Sequence, residues 1–302
     1  MRKTPVFSLR ARLLWLGLAL LALPAAALAA DGENQFPASI QAPANIAIAG
    51  GGLMPEGHAL TVYNVSYRSK YESLTGEDQT NNRNIDNTQI TNLLKLRYAA
   101  TDRLELQATV PYVVYNPASG RNQDSWGDTS AGVMYGFMQE RLGDPINIAA
   151  GVRAVMPTGS MGPGSLPGGG AWGAQFLFGV TKTIGKFQII HDLWLTAPLE
   201  EGNAHVHKGD NFGGTYRYAY ALTNYLAVGL EGVIEHTDRG KRLGVELKND
   251  MTEWYTGPAL TFGVPGTNLT LALGAYAPVY RSYGQNTSSD SVRFDGKIAF
   301  AW

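Results

Sequence analysis

From His58 to the last residue, apolar and polar side chains alternate at period two in repeated blocks separated by turn-rich segments. Successive side chains of a strand point to opposite faces, so each block predicts one apolar and one polar face. The first block sets Ala59, Thr61, Tyr63, Val65 and Tyr67 against Asn64, Ser66, Arg68 and Lys70. Later blocks repeat it, with Leu94, Leu96 and Tyr98 opposite Lys95 and Arg97, and Leu104, Leu106 and Val110 opposite Glu105, Gln107 and Thr109. The last block sets Val292, Phe294, Ile298, Phe300 and Trp302 against Arg293, Asp295 and Lys297. Block seven, 187–197, is less regular: Ile190 and Trp194 share a face with Asp192, which leaves His191 among apolar neighbours.

The links alternate in length. Long polar segments begin near Glu72, Asn116, Gly159, Pro198, Thr237 and Arg281, and between them fall short links at 101–103, 139–144, 184–186, 223–224 and 263–267. A membrane barrel with both termini in the periplasm requires this pattern of long outer loops and short inner turns. Six long and five short links predict an all-β fold, a transmembrane antiparallel β-barrel of about 12 strands. A soluble sandwich would turn its polar face to water, whereas here the polar face is rich in Gly, Thr, Asn and charge of both signs. Tyr67, Trp172, Trp254, Tyr98, Phe262 and Trp302 near strand ends suit girdles at two membrane interfaces, and closure removes edges that lipid does not tolerate. The bacterial outer membrane is the expected location, with its lipid as the surrounding partner.

Composition narrows the reading further. Lys+Arg number 24 against 25 Asp+Glu and there is no Cys, so neither a nucleic-acid surface nor a disulfide framework is indicated. After the leader, no uninterrupted apolar run is long enough for a membrane helix. Arg2, Lys3, Arg10 and Arg12 precede the apolar run 13–23, then Pro24 and Ala27-Leu28-Ala29, the layout of a secretory signal peptide over 1–29. Three segments follow: the leader 1–29, a periplasmic or lumen-plugging segment 30–57, and the barrel 58–302. For the middle one the alternatives are a disordered tail and a lumen plug, and Ile46 and Ile48 before Gly50-Gly51-Gly52 favour packing in the lumen.

The inward positions supply the candidate chemistry. Arg68, Lys70, Lys95, Arg97, Arg153, Arg217, Arg293 and Lys297 stand against Glu105, Asp128, Asp192, Glu231, Glu235, Glu253 and Asp295, so the charges nearly cancel. They read either as structural ion-pair ladders or as a transverse field along a pore, and twelve strands leave room for a narrow path. Trp194, Tyr255 and Tyr276 offer aromatic faces on which a small solute can stack, or they fill the core. The candidate path is therefore Lys95, Arg97, Arg153, Trp194, Arg217, Glu231, Tyr255 and Tyr276. Two segments are candidate gates, 30–57 and the Gly- and Pro-rich loop 159–170.

Catalysis is the rival class, since a Ser and His near the outer surface of a barrel make a lipid hydrolase. No G-x-S-x-G element accompanies the five His, and His191 turns inward only if its strand slips by one residue. His205-Val206-His207 supplies two imidazoles, an incomplete metal site, and Gly162-Pro163-Gly164-Ser165 lacks the P-loop pattern, so neither metal nor cofactor is expected. A third class is a structural or adhesive barrel acting through polar loops such as 72–88 and 237–250.

Several motifs carry a resemblance. Gly50-Gly51-Gly52-Leu53-Met54-Pro55-Glu56-Gly57 leads into a Tyr-rich strand. Leu96-Arg97-Tyr98 precedes Thr101-Asp102-Arg103-Leu104-Glu105-Leu106, and Val110-Pro111-Tyr112, Gly127-Asp128-Thr129-Ser130-Ala131-Gly132 and Pro157-Thr158-Gly159-Ser160 follow. Together they resemble the outer-membrane β-barrel family named for the meta pathway of phenol degradation. The closing Phe300-Ala301-Trp302 is similar to the terminal aromatic signal read by the barrel-assembly machinery, with Trp where Phe is commoner. The resemblance covers most of the chain after the leader, is carried mainly by barrel grammar, and brings no binding residues with it. It implies a channel or transporter for small hydrophobic or aromatic compounds.

Overall fold

The computed structural model describes residues 41, 44, 50–70, 72–77, 79–81, 87–117, 122–159, 170–202 and 205–302. The leader 1–29, Ile46 and Ile48, and most of the loop 159–170 lie outside them. Among the described residues, twelve strands carry the wall: β1 (Ala59–Lys70), β2 (Asn87–Thr101), β3 (Leu104–Asn116), β4 (Thr129–Met138), β5 (Asn147–Met156) and β6 (Gly173–Ile184). β7 (Phe187–Pro198), β8 (Asn211–Ala221), β9 (Leu226–Thr237), β10 (Met251–Gly263), β11 (Leu269–Ser289) and β12 (Val292–Ala301) complete it. Each pairs antiparallel with its sequence neighbours, and β1 pairs β12 from Leu60↔Ala301 to Ser69↔Val292, so the sheet closes. No described helix is long and apolar enough to cross a membrane, which says nothing about crossing by strands.

Alternation explains the wall. Leu94, Leu96, Tyr98, Leu106, Phe176, Leu230, Leu273, Phe294 and Ile298 are large, apolar and exposed, whereas Asn64, Ser66, Glu105, Gln107, Asp192, Arg217, Glu231 and Asp295 are buried. This is the reverse of a soluble protein, and each exposed Leu or Phe fits a lipid solvent. Tyr135, Phe137, Tyr220, Phe262, Phe300 and Trp302 cluster at one end of the strands, Trp126 and Trp172 at the other, as girdles require.

Block seven keeps the expected register. Ile190↔Arg217 and Asp192↔Thr215 place Ile190, Asp192 and Trp194 inward, while His191 faces outward, its ring edge-on to Tyr218 at 5.5 Å between centroids.

One expectation is corrected. The segment from Arg281 is not a loop: β11 continues to Ser289 and pairs there with a short strand, Glu72–Glu77, which pairs in turn with Gln79–Asn81. The run Tyr280 to Ser289 has a single Gly and no Pro, so polarity suggested a loop where the backbone had nothing to stop it. A partner strand from another part of the sequence then satisfied its N–H and C=O groups. The segment 237–250 similarly holds a small hairpin, Lys241–Arg242 with Val245–Glu246, tied to Val206–His207.

Candidate functional site

The lumen contains protein. Backbone groups of residues before β1 are held by side chains of the wall, forming a strap across the inner part of the barrel. Ala44 N–H donates to Glu231 Oε1 at 3.0 Å, and Arg217 Nη1 donates to the Gln41 carbonyl at 2.8 Å. Gly50 N–H reaches both Asp192 oxygens, at 3.0 and 3.1 Å, and Gly51 N–H reaches Thr181 Oγ1 at 3.0 Å. Gln139 brackets the next turn, accepting from Leu53 N–H at 2.8 Å and donating to the Gly51 carbonyl at 3.0 Å. Carboxylates take N–H groups and guanidiniums take carbonyls, so on the strap these lumenal charges read backbone. A buried peptide group left without such a partner is costly.

Packing matches the polar contacts. Ala44 sits against Ala259 and Ala272, and Leu53 against Met134, Ala149 and Leu177. A Cβ on Gly51 would stand 2.5 Å from the Gly179 carbonyl oxygen and 2.6 Å from that of Asn147, so the strap lies flat on the wall only because Gly51 has no side chain. Gly179 returns the requirement, since its own Cβ would meet the Gly50 carbonyl oxygen at 2.7 Å.

The strap leaves the lumen between two inner turns. Asp102, in the link from β2 to β3, accepts Glu56 N–H at 3.2 Å and Arg141 Nη1 at 2.5 Å, while Arg141 Nε donates to the Leu53 carbonyl at 3.3 Å. The hydrogen bond from Arg141, then that from Glu56, holds the Asp102 carboxyl below its ordinary range. Arg141 is on a short 3₁₀ turn, Glu140–Leu142. Glu140 fastens that turn to β6 by accepting from Lys182 Nζ and Thr183 N–H, both at 3.1 Å.

Above Glu231 an aromatic cluster forms. Tyr255 and Tyr276 pack with Val233, and Trp194 lies against them. Tyr276 OH donates to Glu231 Oε2 at 2.9 Å, so one carboxylate holds the strap with one oxygen and the cluster with the other. Both tyrosines are fully buried, Tyr255 beneath the Arg293 guanidinium at 4.6 Å from its ring centroid. They form a packed wall, and Trp194 is the member that keeps an accessible edge. Its Nε1 donates to Asn211 Oδ1 at 2.8 Å.

The eight candidate path residues therefore fall into two groups. Trp194, Arg217, Glu231, Tyr255 and Tyr276 gather around the strap and cluster. Lys95, Arg97 and Arg153 stand on the other side of the lumen, on β2 and β5, half-buried and facing inward, and of these Arg97 also reaches the strap, donating to the Gly52 carbonyl at 3.4 Å. Arg97 binds Glu105 at 2.5 and 2.9 Å, and Arg153 donates to Gln107. Asp192, Gln139, Thr181 and Asp102, which hold the strap, were not on the candidate path. The triplet Gly50-Gly51-Gly52 was the available signal, since consecutive glycines mark close backbone approach.

The histidines take local positions. His236 lies between Thr252 Oγ1 at 2.7 Å and Asp238 Oδ1 at 3.2 Å, its ring tilted against Phe212 at 4.8 Å between centroids. This resembles a hydroxyl, imidazole and carboxylate set, with Thr252 and His236 both buried. Among the described residues no group of three or more His, Cys, Asp or Glu is placed to hold a metal ion.

Fold and geometry together define an outer-membrane-type β-barrel with a polypeptide strap in its lumen. No protein-family profile and no curated protein matches the sequence. Among solved structures, the chain is similar to the COG4313 outer membrane channel from Pseudomonas putida F1, with a TM-score of 0.72 and 12% identity over 85% of this chain and 100% of that one. It also aligns with the β domain of the Bordetella autotransporter BrkA, TM-score 0.43 and 10% identity over 82% and 100% of the two chains. A third match is the Acinetobacter baumannii channel OccAB2, TM-score 0.35 and 9% identity over 82% and 97%. At such identities the first match shows a shared fold, and the other two carry no argument.

Proposed function

We propose that this protein is a narrow outer-membrane channel for small hydrophobic or aromatic solutes, exported through its leader, with the strap as the gate on its periplasmic side. The observation that carries the reading is the double use of Glu231, which ties the strap to the aromatic cluster at the point where a solute coming from the outer side meets Trp194. A barrel built only as a scaffold has no need of a lumenal segment held by side chain to backbone hydrogen bonds. The P. putida neighbour is an outer membrane channel, in agreement with this reading. The sequence resemblance supplies the solute class.

The test is influx into proteoliposomes of three solutes, a phenol-like aromatic, an aliphatic molecule of equal size and a neutral sugar, in wild type and Trp194→Ala. Faster influx of the aromatic, lost in the variant, supports the proposal. Equal influx of all three describes an unselective pore, and none at all sinks the transport reading in favour of the hydrolase or adhesive alternatives.

A further inference from the structure

The inward charges nearly cancel in number, but they do not cancel in position. Lys and Arg stems carry their charge well away from the backbone, whereas Asp and Glu hold theirs close to the wall. The carboxylates show this: Glu105 and Glu231 are 0% exposed, Asp295 2% and Asp192 7%. Glu105 lies beneath the Arg97 fork and the Gln107 amide, and Asp192 is turned onto Gly50 N–H. Lys95 and Arg153, in contrast, keep part of their side chains open to the lumen, while the Arg97 fork is occupied by Glu105 and by the Gly52 carbonyl at 3.4 Å. Lys297 stands within electrostatic reach of Lys95, as Arg153 and Arg97 do. Glu235 is a half-buried carboxylate on β9, near the outer end of that strand, where Asn211 donates to it at 2.7 Å.

We infer that Lys95 and Arg153 make the water-facing side of the mid-lumen an anion-selective filter, so that carboxylate-bearing solutes and small inorganic anions pass in preference to cations. The inference rests on the channel reading above and adds the charge of the solute to it. A ring of cationic side chains selects anions by lowering their free energy where the path is narrow, and the low-dielectric wall concentrates that field. Sequence counting hides the effect because it weighs a buried carboxylate equally with an accessible guanidinium.

The test measures reversal potential in a planar bilayer under a potassium chloride gradient, for wild type and for the double variant Lys95→Gln/Arg153→Gln. The expected wild-type preference for chloride over potassium is at least about threefold, falling to about one in the variant. A wild-type channel that prefers potassium, or a chloride preference unchanged in the variant, overturns the inference. A second readout works without conduction: quenching of Trp194 fluorescence, isolated by difference from Trp194→Phe, by iodide and by neutral acrylamide. The filter predicts that the double variant loses iodide quenching and keeps acrylamide quenching, and equal loss of both overturns it. Protein that conducts nothing but shows the iodide effect sinks the channel reading and leaves the anion site standing. Retained heat-modifiable migration shows that the variant barrel is folded.

Discussion

The two sides of the lumen are built from the same alternating pattern and end in opposite states. On the side formed by β10, β11, β12 and β1, the charged groups are locked together. Glu253 accepts from Tyr283 and lies 3.9 Å from Arg293, which also binds Asp290 at 3.1 Å, and Asp290 is within 3.7 Å of Arg68 and 3.8 Å of Lys70. On the side formed by β2 to β6, charges are fewer and Gly132, Gly151 and Gly179 line the inner wall between them. These glycines let other groups lie directly on the wall, Arg153 against Gly132, Met134 against Gly151 and the strap's Gly50 against Gly179, where the other side places Tyr255, Tyr276 and Tyr283. The difference teaches that one side of a lumen is closed by aromatic volume and complementary charge, whereas glycine on the other admits a long cation or a strap of backbone against the wall.

The largest expected effect breaks the packed side. Arg293→Met leaves Glu253 and Asp290 buried without their shared cation, so unfolding in detergent and urea should show a loss of about 3–5 kcal/mol. The matching change on the other side, Arg153→Met, should cost only about 1 kcal/mol, because that guanidinium donates to the neutral amides of Gln107 and Gln175 and its loss strips no buried carboxylate of a direct partner. Equal losses would erase the distinction between the two sides.

A smaller effect is expected from the strap, which bridges the two. Gly51→Val puts a side chain where the Gly179 and Asn147 carbonyl oxygens already stand, so the strap must leave the wall. Solute influx and protease cleavage near residue 51 should both rise several-fold while the barrel itself unfolds at the same urea concentration. Unchanged cleavage would mean that the strap tolerates displacement by another route.

The smallest concerns pH at the inner turns. Asp102 has its carboxyl held below the ordinary range by Arg141 and Glu56 N–H, so its anchoring is present above the unfolded-state value near about 4 and is lost as pH falls through the lower folded value. Because the chain has no Cys, a spin label at Met54→Cys reports the strap alone. It should stay ordered at neutral pH and gain mobility only in strong acid, and Asp102→Asn should show that mobility at neutral pH already.

Much of the architecture was legible in the residues. Tyr63, Leu94, Leu106, Phe176, Leu230 and Ile298 marked the lipid face, because in a closed sheet the side of a residue follows from parity alone. Even the irregular seventh strand kept its parity, placing Asp192 and Trp194 inward and His191 outward. The extension of β11 was not legible, since Tyr280 to Ser289 is as polar as a loop and became strand through pairing with Glu72–Glu77. Trp194, Tyr255 and Tyr276 were readable as inward aromatics, but their meeting across β7, β10 and β11 was not.

By itself the sequence determined the strand number, the facing of nearly every wall residue and the inventory of lumenal charge, because these depend on period-two alternation and on link length. Only the tertiary structure decided which charges face water and which lie buried, that Glu231 serves strap and cluster together, and that Gly51 rests on Gly179. Those depend on distances between segments far apart in the chain. Alternation fixes on which side of the sheet a group lies, and closure of the barrel fixes what it meets there.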